Sequence, residues 1–162
     1  MAAVGERCAT RLARRSSYSY RSDASVPAFP DDNPVIVYDG VCVLCSGAMR
    51  AIARRDRRQR FRFVSGQSAL GTALFRHYGL DPANFETVLL IADGRAYGKL
   101  DMTRRVAAEI GGPWRLFEVF AIMPGAMQDW CYDIIARNRY RLFGRSDVCI
   151  APDASWRARI IE

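Results

Sequence analysis

An α/β fold on a four-stranded mixed sheet is expected from three features of the sequence. Two runs, Val35-Ile36-Val37-Tyr38 and Thr87 to Ala92, are strand-sized and mostly β-branched or aliphatic, the pattern of strands covered on both faces. Stretches with apolar residues three and four apart follow each of them, as in helices laid on a sheet. Asp93-Gly94 directly after the second run is a two-residue hairpin signal. The chain has 162 residues, half of them hydrophobic, which suits one domain with a core of its own. No stretch approaches the roughly 20 apolar residues of a membrane helix.

Residues 1–33 stand apart. Arg7, Arg11, Arg14, Arg15 and Arg21 face one acid, Glu6, before residue 23, and Ser16, Ser17, Ser19 and Ser22 lie among them. An Arg- and Ser-rich, acid-poor leader has the composition of an organelle transit peptide. A disordered tail has the same composition, so the compartment is read as cytoplasmic, or as mitochondrion or chloroplast if the segment is a transit peptide. The folded domain is expected over 34–162.

Val35–Tyr38 is the first strand, ended by Asp39-Gly40. From Cys42 to about Arg57 the pattern is helical, because Cys45, Ala48, Met49 and Ile52 form one apolar stripe. Arg54, Arg57 and Arg58 lie off it, where the negative end of the helix dipole favours cations. Residues 60–64 alternate, with Phe61 and Phe63 on one face and Arg60 and Arg62 on the other, and read as an edge strand. A short helix over 68–78 carries Leu70, Leu74 and Tyr78 in register and closes at Gly79. Arg95 to Leu100 is the strand returning from the hairpin. Helices follow over 102–110, 114–122 and 126–140, broken by Gly111-Gly112-Pro113 and Pro124-Gly125, with Trp130, Ile134 and Arg137 spaced along one side of the last. The tail from Gly144 reads as irregular, with one more turn over 155–161.

Two central and two edge-like strands fit a sheet ordered fourth, third, first, second. The hairpin makes the last two antiparallel, and a right-handed βαβ crossover makes the first two parallel. That is a thioredoxin-like architecture with extra C-terminal helices.

The net charge is +7, and 23 of the 24 basic residues are Arg, Lys99 being the one Lys. Seven Arg crowd residues 50–62 with Phe61 and Phe63 interleaved, a composition that single-stranded nucleic acid binders share. Alternation turns both rings inward, so a solvated helix end and strand edge is expected and nucleic acid is not. Five cysteines, an odd number in a chain of this size, argue against a secreted disulfide framework and for chemical use of particular thiols.

The chemistry concentrates at Asp39-Gly40-Val41-Cys42-Val43-Leu44-Cys45. Two cysteines three apart in the first turn of a helix face the same way. The unpaired N–H groups and positive dipole end there stabilise a thiolate. Cys42 is then the nucleophile, and Cys45, deeper on the apolar stripe, resolves the mixed disulfide. Asp39, three residues before Cys42, either accepts or relays a thiol proton or merely ends the strand in an Asp-Gly turn. Other readings are open: Cys45 as a buried small apolar residue, or a zinc site. Zinc would need four ligands, whereas Cys131 and Cys149 are far along the chain and His77 is the one histidine, which leaves a metal shared between two chains. Cys8 lies in the leader, Cys131 reads as core, and Cys149 as packing or a second redox partner.

Asp39, Cys42 and Cys45 spell D-x-x-C-x-x-C after a buried strand. With Gln67-Ser68, His77 to Asp81, Gly112-Pro113-Trp114-Arg115, Tyr132-Asp133 and the run Ala136 to Arg145 with Cys149, the sequence resembles the DCC family of predicted thiol-disulfide oxidoreductases over roughly residues 34–150. The resemblance implies a thioredoxin-like fold and protein-disulfide reductase activity, with Asp39, Cys42 and Cys45 as site residues and no cofactor. Two departures stand out. Leu100 replaces a Ser that commonly precedes Asp101, and Phe85-Glu86-Thr87 stands where thioredoxins carry a cis-proline, Pro82 being too early. The partners expected are a protein or small-molecule disulfide and an external dithiol reductant, since no nucleotide-binding glycine fingerprint is present. A fold retained as a non-catalytic binding or redox-sensing module is the competing reading.

Overall fold

The computed structural model describes residues 12, 14–122, 124–146 and 154–161, so Cys8 and Cys149 lie outside the described residues. Its elements run β1 (Val35–Tyr38), α1 (Val43–Arg55), β2 (Arg62–Ser65), α2 (Ala69–His77), β3 (Leu89–Ala92), β4 (Arg95–Gly98) and α3 (Lys99–Ile110). A 3-10 helix (Gly112–Ile122), α4 (Gly125–Phe143), α5 (Ala154–Arg157) and β5 (Ile160–Ile161) complete the chain.

The sheet has five strands, ordered β4-β3-β1-β2-β5. β1 pairs parallel with β2 and antiparallel with β3, and β3 and β4 form the hairpin. Asp93 and Gly94 both have positive φ, 50° and 71°, so the turn has the left-handed pair that matches strand twist. The expected order is therefore kept but extended. β2 is not the edge, because β5 pairs parallel along its outer side, Phe63 opposite Ile160 and Val64 opposite Ile161. Ile160 and Ile161 make a strand of two residues, too short for alternation to be recognised locally.

Alternation along the inner strands sorts the core into two layers. Val35, Val37, Leu89 and Ile91 face Leu70, Leu74 and Phe75 of α2. Ile36, Phe63 and Leu90 face Met49 and Ile52 of α1, Met102 and Val106 of α3, and Trp156. Phe61 and Phe63 are both buried in this second layer, as alternation requires, while Arg54, Arg55, Arg57, Arg58 and Arg60 are exposed. Arg60 pairs with Glu109 at 2.6 Å. The rings that stacking on bases would use are thus unavailable.

α2 lies so close to β2 that a Cβ at Gly71 would stand 2.1 Å from the Ser65 carbonyl oxygen, and only glycine fits there. The packed unit also takes in residues before Asn33. Tyr20 and Val26 join the α2 layer. The His77 ring, on α2, bonds Asp23 at 2.6 Å and Ser19 at 2.9 Å. His77 thus ties an N-terminal segment to the fold.

Two helical readings shift. α3 begins at Lys99, inside the stretch expected as returning strand. Lys99 holds φ 52° and its N–H donates to Thr87 Oγ1 at 2.8 Å, so strand turns directly into helix. On α4, Trp130 is 63% and Ile134 41% exposed. The face turned to the fold is instead Tyr132, Ala136 and Arg139, spaced at i, i+4 and i+7, with Ile135, 51% exposed, at the rim of the groove.

Candidate functional site

β1 delivers Asp39 to the C-terminal end of the central strand, and α1 starts four residues later. Cys42 is the residue capping α1, with extended backbone, and its Sγ accepts the Cys45 N–H at 3.3 Å. The Cys45 thiol donates to the same sulfur. The structure therefore brings both sulfurs to one side of the helix start. These two hydrogen bonds, led by the thiol, lower the Cys42 pKa to about 6 against the opposing effects of burial and of Asp39. The Cys45 thiol is pushed upward, first by its bond to Cys42 and then by burial. The two thiols are thus made unequal by one shared hydrogen bond.

The two differ in exposure as well as in acidity. Cys42 has no exposed surface, whereas Cys45 is half-buried. The apolar stripe of α1 explains the difference. Cys45, Ala48, Met49 and Ile52 all line an open groove of about 380 Å³, at whose floor Met49 and Ile52 are buried in the core. Its other walls come from Val88, from Met102 and Val106 of α3, from Trp114, and from Tyr132 and Ile135 of α4. Leu44, between the cysteines, lines it too, and Val43 is 39% exposed beside it.

Asp39 is buried and fully engaged. One carboxylate oxygen accepts from Gln67 Nε2 at 2.7 Å and the Val41 N–H at 3.2 Å. The other accepts from the Tyr140 hydroxyl and from Arg139 Nη2 at 3.4 Å. Gln67 also accepts the Gly40 N–H at 2.9 Å. Gln67, Arg139 and Tyr140 thus fix the Asp39 loop on which Cys42 stands. Local reading assigned them no role at the site: they lie 28, 100 and 101 residues from Asp39. The one signal pointing to them was their place within the segments that resemble the DCC family. Asp39 raises and Arg139 lowers the pKa of both thiols, so the buried pair sets opposing fields on the sulfurs.

The remaining candidates stand elsewhere. Asp101 is exposed on α3, 3.8 Å from Arg104. Cys131 is free and half-buried rather than core. Where a thioredoxin has its cis-proline, Phe85 and Thr87 line the groove, and no cis peptide occurs among the described residues. Among those residues no three His, Cys, Asp or Glu side chains are grouped to hold a metal ion.

A family model described as DCC1-like thiol-disulfide oxidoreductase matches residues 36–145, from β1 to just past α4. The chain belongs to this family. The DCC1-like match contains Asp39, both cysteines, Gln67, Arg139 and Tyr140. The uncharacterized protein YuxK of Bacillus subtilis (strain 168) is 38% identical over 129 residues, 80% of this chain and 94% of that protein. The DCC family protein At1g52590, chloroplastic, of Arabidopsis thaliana is 32% identical over 140 residues, 86% of this chain and 81% of that protein. No solved structure matches. Membership of the DCC1-like family supports thiol-disulfide chemistry in general terms and implies a redox partner.

Proposed function

We propose that the protein is a thiol-disulfide oxidoreductase of the protein-disulfide reductase type, with Cys42 attacking and Cys45 resolving. The observation that carries this reading is the Cys42 sulfur at the cap of α1, which accepts the N–H of the second cysteine one helical turn on. A thiolate held in that way is available near neutral pH. It attacks a substrate disulfide, forms one S–S bond and expels one substrate sulfur as thiolate. Cys45 then gives up its proton and attacks the Cys42 sulfur, and the second substrate thiol leaves. The chain is left with a Cys42–Cys45 disulfide, which an external dithiol reduces. Asp39, already accepting four hydrogen bonds, acts in this scheme as a fixed charge that positions the loop and tunes both thiols.

Replacement of Cys42 by Ser is expected to bring dithiol-driven reduction of a protein disulfide to the uncatalysed rate. Cys45→Ser is expected to trap a mixed disulfide on Cys42, detected by mass under non-reducing conditions. Full turnover by Cys42→Ser would end the proposal.

The burial of Cys42 favours a second reading, a redox-sensing module whose sulfur is shielded from casual partners. A reversible Cys42–Cys45 disulfide without any trapped partner in Cys45→Ser would support it.

No helix among the described residues is long and apolar enough to cross a membrane. The word chloroplastic in the Arabidopsis relative's name supports the organelle reading of the N-terminal segment over the cytoplasmic one. Because Leu12, Tyr20 and Val26 are core residues, we confine any removable leader to residues before Leu12.

A further inference from the structure

Cys42 is sealed although its surroundings are not. Val41 is half-buried, Val43 is exposed, and the sulfur between them has no accessible surface. The chain that lies over it comes from the far end of α4. At Gly144, with φ 86°, the backbone leaves the helix, and Arg145 forms an antiparallel bridge with Cys42. The Ser146 N–H then donates to the Val41 carbonyl at 2.9 Å. Behind the bridge, the Arg145 guanidinium stands 5.5 Å from the centre of the Tyr140 ring, whose hydroxyl holds Asp39.

We infer that residues 144–146 form a strap that closes over Cys42 and lifts to admit a disulfide. The strap is built to open. Gly144 and Arg145 are exposed and Ser146 is half-buried, so it brings no apolar side chain into the core, and it is tied to Val41 through the Ser146 N–H. Segments with few buried apolar contacts and solvent-facing hydrogen bonds open at low free energy. Lifting it uncovers the Cys42 sulfur and frees the Val41 carbonyl beside it, while Asp39 keeps its bonds to Gln67 and Val41. The groove wall at Cys45 is unaffected. The strap therefore governs the attacking thiol and leaves the resolving one alone. As a regulatory device it rests on the reading of Cys42 as nucleophile, but the strap itself can be tested without any disulfide substrate.

Alkylation of the reduced full chain by iodoacetamide, followed peptide by peptide by mass spectrometry, reports each thiol separately. The Cys42 sulfur forms a bond to carbon, iodide leaves, and the rate follows access. Ser146→Pro deletes the N–H that ties the strap to Val41 and is expected to raise the Cys42 rate about tenfold, the equivalent of one net backbone hydrogen bond. Ser146→Ala keeps that N–H and is expected to match the wild type. The Cys45 and Cys131 rates serve as internal references, and urea midpoints establish that each variant is folded. If Ser146→Pro does not fold, Gly144→Val, strained at positive φ, takes its place with the same expectation. A folded variant whose Cys42 rate stays within twofold of wild type overturns the strap. So does an equal rise in Ser146→Ala, or a wild-type Cys42 as fast as a small thiol of the same acidity. A Cys42 that gains reactivity in Ser146→Pro yet never turns over a disulfide would support the strap and remove the reductase reading.

Discussion

At the residue scale, the site works by asymmetry between two identical side chains. One thiol donates and the other accepts, and the helix start adds a backbone donor to the acceptor. The protons this fixes have a consequence for stability. In the unfolded chain both thiols titrate at about 8.5. In the folded chain Cys42 loses its proton near 6, while Cys45 keeps its proton well above the usual range. Between about pH 6 and about 8.5 the unfolded chain therefore holds two thiol protons and the folded chain one, and stability rises with pH. Above about 8.5 the unfolded chain has lost both and the folded chain still holds one, so stability falls. Urea unfolding of the reduced protein across pH 6–9.5, minus the same curve for the double variant Cys42→Ser/Cys45→Ser, should show a maximum near 8.5. A flat difference curve would mean that the thiols are not coupled as described.

The same scale shows what local reading reached. Cys42, Cys45 and Asp39 lie within seven consecutive residues, and a helix start imposes its own chemistry on whatever stands there. Gln67, Arg139 and Tyr140 carry no such mark. An Arg or Tyr on a helix reads as a solvated or interfacial side chain unless a buried carboxylate waits for it. The groove beside Cys45 is hidden from local pattern for a related reason. A stripe of apolar residues shows which face is covered, but not whether the cover is a closed core or a groove.

At the scale of elements, residues 154–161 do more than an irregular tail would. α5 places Trp156 edge-on to Phe63, ring centres 5.1 Å apart, and β5 closes the outer side of β2. Between them Arg159 reaches back to the end of α1. Its guanidinium donates to Asp56 at 2.9 Å and to the Ala53 carbonyl at 2.6 Å, and Asp56 also accepts the Phe61 N–H at 2.9 Å. Both charged residues are buried. Removing one partner of such a pair leaves an uncompensated charge, so Arg159→Ala should cost about 3–5 kcal/mol in urea unfolding. A loss below about 1 kcal/mol would show that water replaces the guanidinium at no penalty and that β5 is an ornament of the sheet.

For the whole molecule, residues remote in the chain meet around two short loops. The 39–42 loop gathers α4 and the strap, and α2 gathers the N-terminal segment through His77, Tyr20 and Val26. A transit peptide removed at residue 33 would strip those core contacts. The mature N-terminus of protein recovered from its own organelle, read by terminal sequencing, is expected at or before Leu12, which shares that core. A terminus at or beyond residue 27 would mean that the fold does without Tyr20 and Val26.

The sequence alone determined the α/β class, the order of four strands, the hairpin at Asp93-Gly94 and the position of the reactive pair. Each of these depends on periodicity or on the preferences of neighbouring residues, which short windows record. Tertiary structure alone decided that β2 is an inner strand, that Cys42 has no exposed surface while Cys45 borders a groove, that Asp39 is held by Gln67, Arg139 and Tyr140, and that residues 144–146 pair with the 41–42 backbone. Those are contacts between segments tens to a hundred residues apart, formed because buried charges and backbone groups must find partners wherever the completed fold supplies them.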